Sequence, residues 1–217
     1  MPSVVSSKST LSTSISQSTV YVVDDDEGMR KSLRWLIETL GVAVKMFPSA
    51  ASFLEDYDAH GPSCLVVDVV MPGMTGLELQ HELRQRGDEI PVIVLTAFGD
   101  VPSAVDAMKH GAIEFLEKPV DHDLLLERIR QGLAEDSERR QNRDAVQVIR
   151  DRMAELTPRQ NEVLDLVIEG LSSKEIAARI HVSFKTIEAH RASIMKTMEA
   201  GSVADVVRMV VSVRSQQ

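Results

Sequence analysis

From Thr19 onward the chain alternates short apolar runs with stretches of helical spacing. The runs are Val20–Val23, Val42–Met46, Cys64–Val67, Pro91–Leu95 and Ala112–Leu116. Between the first two, Met29, Leu33, Leu36, Ile37 and Leu40 fall at i, i+4, i+7, i+8 and i+11, one apolar stripe on a helix that Gly41 ends. Five strands alternating with helices predict a parallel sheet covered on both faces, an α/β fold whose ligands sit at the carboxyl ends of the strands. A fifth helix starts near Asp121 and runs long, because residues 134–155 are rich in Glu, Arg, Gln and Ala without Gly or Pro to stop them beyond Gly132. A flexible charged tether would have a similar composition.

Further along, Thr157-Pro158-Arg159-Gln160 carries the N-cap, N1 proline and N3 glutamine of a capping box, and Ser172-Ser173-Lys174-Glu175 repeats the signal after Gly170-Leu171. Further helices start near Ser183 and Ser202. The tail reads as a compact four-helix domain. Residues 1–19 hold 11 Ser or Thr and a single charge, Lys8, which predicts a disordered arm and argues against a transit peptide. The expected division is an arm over 1–18, an α/β domain over 19–133, a helical linker over 134–153 and an all-α domain over 154–217.

Composition narrows the function. The 217 residues carry a net charge of −9, which excludes a uniformly basic nucleic-acid coat protein but leaves room for a basic face. Residues 1–151 hold 15 basic and 25 acidic residues, whereas residues 152–217 hold 9 and 8. From Lys174 to Lys196 there are five basic residues against two acidic ones. An acidic body carries a locally basic tail. The lone Cys64 lies in an apolar strand and excludes an internal disulfide framework and any Cys-based zinc site. No run is long enough to cross a bilayer, so a cytoplasmic protein without membrane contact is the expectation.

The chemistry gathers at the strand ends. The first strand ends in Asp24-Asp25-Asp26, the third in Asp68, the fourth in Thr96 and the fifth in Lys118-Pro119. The fold brings all four ends to one rim, where carboxylates repel unless a cation joins them. Oxygen donors without sulfur or a histidine cluster suit Mg²⁺. An Asp carboxylate beside Mg²⁺, a lysine and a hydroxyl is equipped to attack a phosphoryl group.

The segments VVDDDEG, VVDVVMPGMTG, VLTAFGD and GAIEFLEKP resemble the receiver domain of two-component response regulators, in register over about residues 18–130. The resemblance implies a five-stranded sheet in doubly wound, flavodoxin-like order and a sensor histidine kinase as partner. It implies Asp68 as phosphoacceptor and a Mg²⁺ site of Asp24, Asp25, Asp68 and the backbone carbonyl of Val70. Thr96 and Lys118 would contact the phosphoryl oxygens, Thr96 and Phe115 would form the switch, and the Lys118–Pro119 peptide would be cis. Phe115 in a strand also reads as core. Matching Met29-Arg30 leaves Asp26 as a solvated neighbour. Asp100 or Ser103 is the expected cap of the fourth helix, after a mobile loop.

The segment LTPRQNEVLDLVIEGLSSKEIAARIHVSFKTIEAHRASIMKTM resembles the helix-turn-helix of LuxR-type output domains, over about residues 155–213. The helix near Ser173–Ile180 would be the scaffold and that near Phe184–Met198 the recognition helix in double-stranded DNA. Ile187, Ile194 and Met198 share its inner face, with His190 packed and hydrogen-bonded beside them. Lys185, Thr186, Glu188, Ala189, Arg191, Ala192 and Lys196 lie on the outer face. Arg191 and Glu188 are candidates for base edges. Lys174, Lys185 and Lys196 are candidates for phosphates.

Together the halves resemble the FixJ-like branch of the FixJ/NarL response regulators, with DVPSAVDAMKHGAIEFLEKP carrying that likeness. This implies a phosphorylation-controlled transcriptional regulator that dimerises, with RNA polymerase as a further candidate partner. Two other readings stand beside it. An aspartyl-phosphate phosphatase would use the same nucleophile, but it needs a second acid two positions later, where this chain has Val70; no enzymatic turnover is expected. In a phosphorylation-independent DNA-binding protein the receiver would serve only as a dimerisation scaffold.

Overall fold

A computed structural model describes residues 18–58, 60–97, 99 and 101–215. Five parallel strands, β1 (Thr19–Val23), β2 (Ala43–Phe47), β3 (Ser63–Asp68), β4 (Val92–Thr96) and β5 (Ala112–Glu117), form one sheet in the order β2-β1-β3-β4-β5. The three inner strands are covered on both faces, which is why their sequences are continuous apolar runs rather than alternating ones. Successive residues still go to opposite sides. Val20, Val22, Cys64, Val66, Ile93 and Leu95 pack against α1 (Glu27–Glu38) and α5 (His122–Ala154). Tyr21, Val23, Leu65, Val67 and Val94 pack against α2 (Ala50–Asp56), α3 (Gly76–Gln85) and α4 (Val101–Lys109). Cys64 is fully buried in the first of these layers, and burial pushes its thiol pKa up, so it stays protonated packing.

Ser18, the last residue of the expected arm, directly precedes β1; it is buried, and its carbonyl accepts the Ala43 N–H at 3.0 Å. The remainder of the expected arm lies outside the described residues. So does Asp100, one of the two cap candidates for α4. The other, Ser103, lies inside α4 rather than before it and is therefore not its N-cap.

The long fifth helix is continuous over 33 residues. Its first part belongs to the α/β unit through Leu125, Ile129 and Leu133. Asp136, nearly fully buried, extends that packing: its Oδ2 accepts the Ser63 N–H at 2.9 Å, while Arg139 and Arg140 flank it at 2.6 Å each. The chain divides into two compact units between Arg140 and Gln141, inside this helix. In the second unit, Ile149 and Met153 of α5 pack with α6 (Pro158–Ile168), α7 (Ser173–Arg179), α8 (Phe184–Thr197) and α9 (Val203–Arg214). Capping boxes start α6 at Thr157/Gln160 and α7 at Ser172/Glu175, as the sequence predicts.

Candidate functional site

The ends of β1, β3 and β5 bring Asp24, Asp68 and Lys118 together at one rim. Asp24 is buried, and its two carboxylate oxygens are used separately: Oδ1 accepts the Asp26 N–H at 2.8 Å and Oδ2 accepts from Lys118 Nζ at 2.8 Å. The Arg30 guanidinium donates to the Asp24 carbonyl at 2.6 Å and ties the strand end to α1. Lys118 Nζ also lies 3.1 Å from Asp68 Oδ2, so one ammonium bridges two carboxylates. Asp68 Oδ1 is shut off from solvent without a hydrogen-bond partner.

Electrostatics follow from this geometry. Burial raises the Asp68 pKa above the usual carboxylate value; the Lys118 hydrogen bond and charge oppose it, and the Asp24 and Asp25 charges add to it. For Lys118, burial pulls the pKa down, but the hydrogen bonds and charges of Asp24 and Asp68 together outweigh it, and the net shift is upward. The lysine is therefore a fixed cation at neutral pH.

Asp25 is exposed, and one oxygen each from Asp24, Asp25 and Asp68 lies within 4.8 Å of the others. Three hard oxygen donors, one from each carboxylate, form an acidic pocket that fits a divalent cation. Asp26 does more than the solvated neighbour expected of it. It is the N-cap of α1, accepting from Gly28 N–H at 2.6 Å and Met29 N–H at 3.0 Å, and those bonds lower its pKa. The DDDEG run held this signal, since an Asp immediately before an apolar-periodic helix is a cap.

Thr96 is buried at the end of β4, and its carbonyl accepts the Lys118 N–H at 2.7 Å. Lys118–Pro119 is cis. Val70 follows β3 with its side chain exposed. Phe115 is half-buried on β5, opposite Val94, against the α2–α4 layer. Gly76 escaped the sequence reading. It opens α3 so close to the end of β3 that a Cβ would overlap the Asp68 carbonyl oxygen and lie 3.0 Å from Val67 Cγ2. Thr75 caps that helix with Glu78, and Thr75-Gly76-Leu77-Glu78 was the available signal.

In the second unit, Ile187, Ile194 and Met198 are buried on the inner face of α8. Lys174 on α7 and Lys185, Thr186, Glu188, Ala189 and Lys196 on α8 are exposed. Arg191 differs from them: it is half-buried and its Nη1 donates to Ser173 Oγ at 2.9 Å, tying α8 to the start of α7. His190 is half-buried and its ring makes no hydrogen bond to another described residue, so the bonded imidazole expected there is not found.

Residues 20–130 match the family model of the response regulator receiver domain, and residues 154–210 match that of the bacterial regulatory proteins of the luxR family. The transcriptional regulatory protein FixJ of Azorhizobium caulinodans is 43% identical over 88% of this chain and 90% of its own length. The low-resolution structure of the response regulator StyR superposes with a TM-score of 0.83 at 42% identity, over 90% of this chain and 98% of that one. Full-length FixJ from B. japonicum gives 0.55 at 38% identity, over 91% and 97%. Among the described residues no helix is long and apolar enough to cross a membrane. A receiver unit with an acidic, lysine-bridged rim followed by a helix-turn-helix unit, with this similarity along the chain, is a FixJ-like response regulator: the chain belongs to that family of DNA-binding transcriptional regulators rather than to the enzymes.

Proposed function

We propose that a sensor histidine kinase phosphorylates Asp68 and that the phosphorylated chain dimerises and binds double-stranded DNA through α8. In this reading the working parts are a receiver at 19–133, a linker helix at 134–153 and an output domain at 154–217, following an arm at 1–18, in a cytoplasmic protein. The observation that carries it is the Lys118 bridge between Asp24 and Asp68, which leaves Asp68 Oδ1 unpaired.

The unpaired carboxylate oxygen attacks phosphorus of the kinase's phosphohistidine. An O–P bond forms, the P–N bond breaks, and the imidazole nitrogen leaves with the electron pair. Lys118 and Thr96 meet the phosphoryl oxygens, and Lys118 stays cationic throughout because its two carboxylate partners raise its pKa. Asp24, Asp25, Asp68 and the Val70 carbonyl would hold Mg²⁺, which when bound neutralises charge spread over the transferring group. Thr96 and Phe115 then rearrange about the new charge of about −1.5 to −2.

Val101, Val105 and Met108 leave an apolar strip exposed on α4, which supports dimerisation at the α4–β5 face. Pairing two output domains makes the second DNA contact intramolecular and raises avidity about 10²–10⁴-fold. On α8 and α7, Lys185, Lys196 and Lys174 serve phosphates, Glu188 and Arg191 read base edges, and Thr186 and Ala189 complete the DNA-facing surface. RNA polymerase is the further partner of the bound dimer.

The test is intact mass and sedimentation before and after a small acyl phosphate donor with Mg²⁺, beside Asp68→Asn. One added phosphoryl group, absent in the variant and accompanied by dimerisation, is expected. Absence of phosphate uptake would leave a DNA-binding protein with a scaffold receiver; uptake without dimerisation would overturn the route to DNA.

A further inference from the structure

The described residues of the receiver unit hold a second cluster of metal-ligating side chains, away from the acidic rim: His81, Asp106 and His110. His81 lies in α3, Asp106 in α4, and His110 directly follows the last residue of α4. Asp106 and His110 are four residues apart, and the His110 N–H donates to the Asp106 carbonyl at 3.1 Å, so one helical turn stacks them on the same flank. That flank faces α3.

The seam between the two helices is fixed by bonds that do not involve the three side chains. Gln80 Nε2 donates to the Ala107 carbonyl at 2.9 Å in a buried contact. Arg84 donates through Nε to the His110 carbonyl and through Nη2 to the Gly111 carbonyl, both at 3.1 Å. Across this seam the rings of His81 and His110 meet with centroids 3.5 Å apart. His81 Nε2 lies 3.8 Å from Asp106 Oδ2. His110 Nδ1 lies 2.8 Å from the Asp106 backbone carbonyl and 3.3 Å from Asp106 Oδ1; a proton on Nδ1 donated to that carbonyl leaves Nε2 as the ring nitrogen with a lone pair for a metal. One nitrogen of each ring and one carboxylate oxygen fall within 4.8 Å of one another. Donors sharing a tetrahedral Zn²⁺ at about 2.0–2.1 Å stand about 3.3 Å apart, so small side-chain rotations converge the set.

His81 Nε2 adds an independent indication. It is buried, and no hydrogen-bond partner reaches it, the carboxylate being too distant. A ring nitrogen held this way has its hydration removed and nothing in exchange, a penalty that coordination would relieve.

We propose that His81, Asp106 and His110 bind a borderline divalent cation, with Zn²⁺ as the type ion and the fourth position open to water. Two imidazoles and one carboxylate suit Zn²⁺, Ni²⁺ or Cu²⁺, whereas Mg²⁺ prefers all-oxygen sets, so the two clusters in this receiver select different ions. The three side chains are each 35–46% exposed, which gives the ion an entry path. Bound there, it ties α4 to α3. Because α4 also carries the exposed Val101, Val105 and Met108, the ion fixes the helix that the proposed dimer uses; the site itself does not depend on that dimer.

The experiment is calorimetric titration of the full-length, chelator-stripped protein with Zn²⁺ in excess Mg²⁺, with circular dichroism to establish that each variant is folded. Saturable binding of one Zn²⁺ is expected. His81→Gln and His110→Gln should each weaken it by more than the roughly 10–100-fold that loss of a supporting group alone produces, and Asp106→Asn should weaken it too. Asp25→Asn, in the acidic pocket, should leave it unchanged. Co²⁺ substitution should give a visible spectrum of a four-coordinate nitrogen–oxygen site, lost in both histidine variants. Absence of saturable binding, wild-type affinity in folded histidine variants, or loss of binding in Asp25→Asn would each overturn the proposal.

Discussion

Replacing Lys118 by Met removes one charge from a site built around it while keeping the apolar stem. The ammonium sits 2.8 Å from Asp24 and 3.1 Å from Asp68, and the three side chains are 15%, 1% and 11% exposed. Removing one member of a buried ion pair leaves an uncompensated charge and costs about 3–5 kcal/mol, far above the roughly 0–1 kcal/mol of a surface pair. The deficit should depend on pH. Burial already raises the Asp68 pKa, and Lys118 is the group that opposes the rise, so the substitution drives it higher. A carboxyl whose folded pKa exceeds its unfolded value near 3.9 contributes stability that is complete below that value and is lost as pH rises through the folded pKa. The deficit of Lys118→Met is therefore smallest in acid and grows toward neutrality. In the unsubstituted protein the lysine contribution persists to the alkaline side, fully present below about 10.4 and lost as pH rises through its elevated folded value. Hydrogen exchange of β1 and β3 amides in chelator, at several pH values, reports the opening free energy of the receiver without requiring both units to unfold together. Added Mg²⁺ should narrow the deficit by restoring positive charge beside the carboxylates. A loss below about 1 kcal/mol, or one independent of pH, would refute the view that Lys118 is the electrostatic keystone of this rim.

Gly76→Ala puts a Cβ into the Asp68 carbonyl and should cost about 1–3 kcal/mol in urea denaturation while slowing phosphate uptake from a small donor; unchanged kinetics would show that the α3 start does not position the nucleophile. Asp136→Ala strips the buried Ser63 N–H of its acceptor and should cost about 1–3 kcal/mol, without a larger ion-pair loss because Arg139 and Arg140 are 31% and 24% exposed and can turn to water; hydrogen exchange at Ser63 would read it. In binding titrations across salt concentrations, Lys185→Ala should weaken all DNA sequences alike and reduce the salt slope by about 1, whereas Glu188→Ala should relax preference at one base pair by about 1–3 kcal/mol. Equal loss on every sequence from Glu188→Ala would assign it no role in base reading.

The features legible in the sequence are those set by local pattern. Apolar runs mark the inner strands because both faces of β1, β3 and β4 are covered, and Ser/Thr with Glu/Gln three residues later marks the starts of α6 and α7 because the cap bonds are local. Asp24, Asp68 and Lys118 could be placed at one rim because a parallel sheet aligns its strand ends. What the pattern leaves open is the identity of each side chain's partner once the chain is folded. Arg191 shows this. Helical periodicity assigns it to the outer face of α8, but a guanidinium on a long stem can turn inward, and Ser173 on the neighbouring helix is there to receive it. The proposed use of Arg191 on DNA requires giving up this bond within the protein, whereas the proposed contacts of Lys185 and Lys196 do not. At α5 composition reads residues 134–153 as a helical linker, and the division between units falls inside that range, but composition gives no sign that Asp136 is buried against β3. The His81–Asp106–His110 cluster was invisible for the same physical reason. Spacing relates Asp106 to His110, but only the packing of α3 on α4 brings His81 to them. A receiver's phosphoacceptor rim is encoded by strand ends, and so can be read in order along the chain; a site on a seam between helices depends on which turns face each other, which only the folded packing reveals.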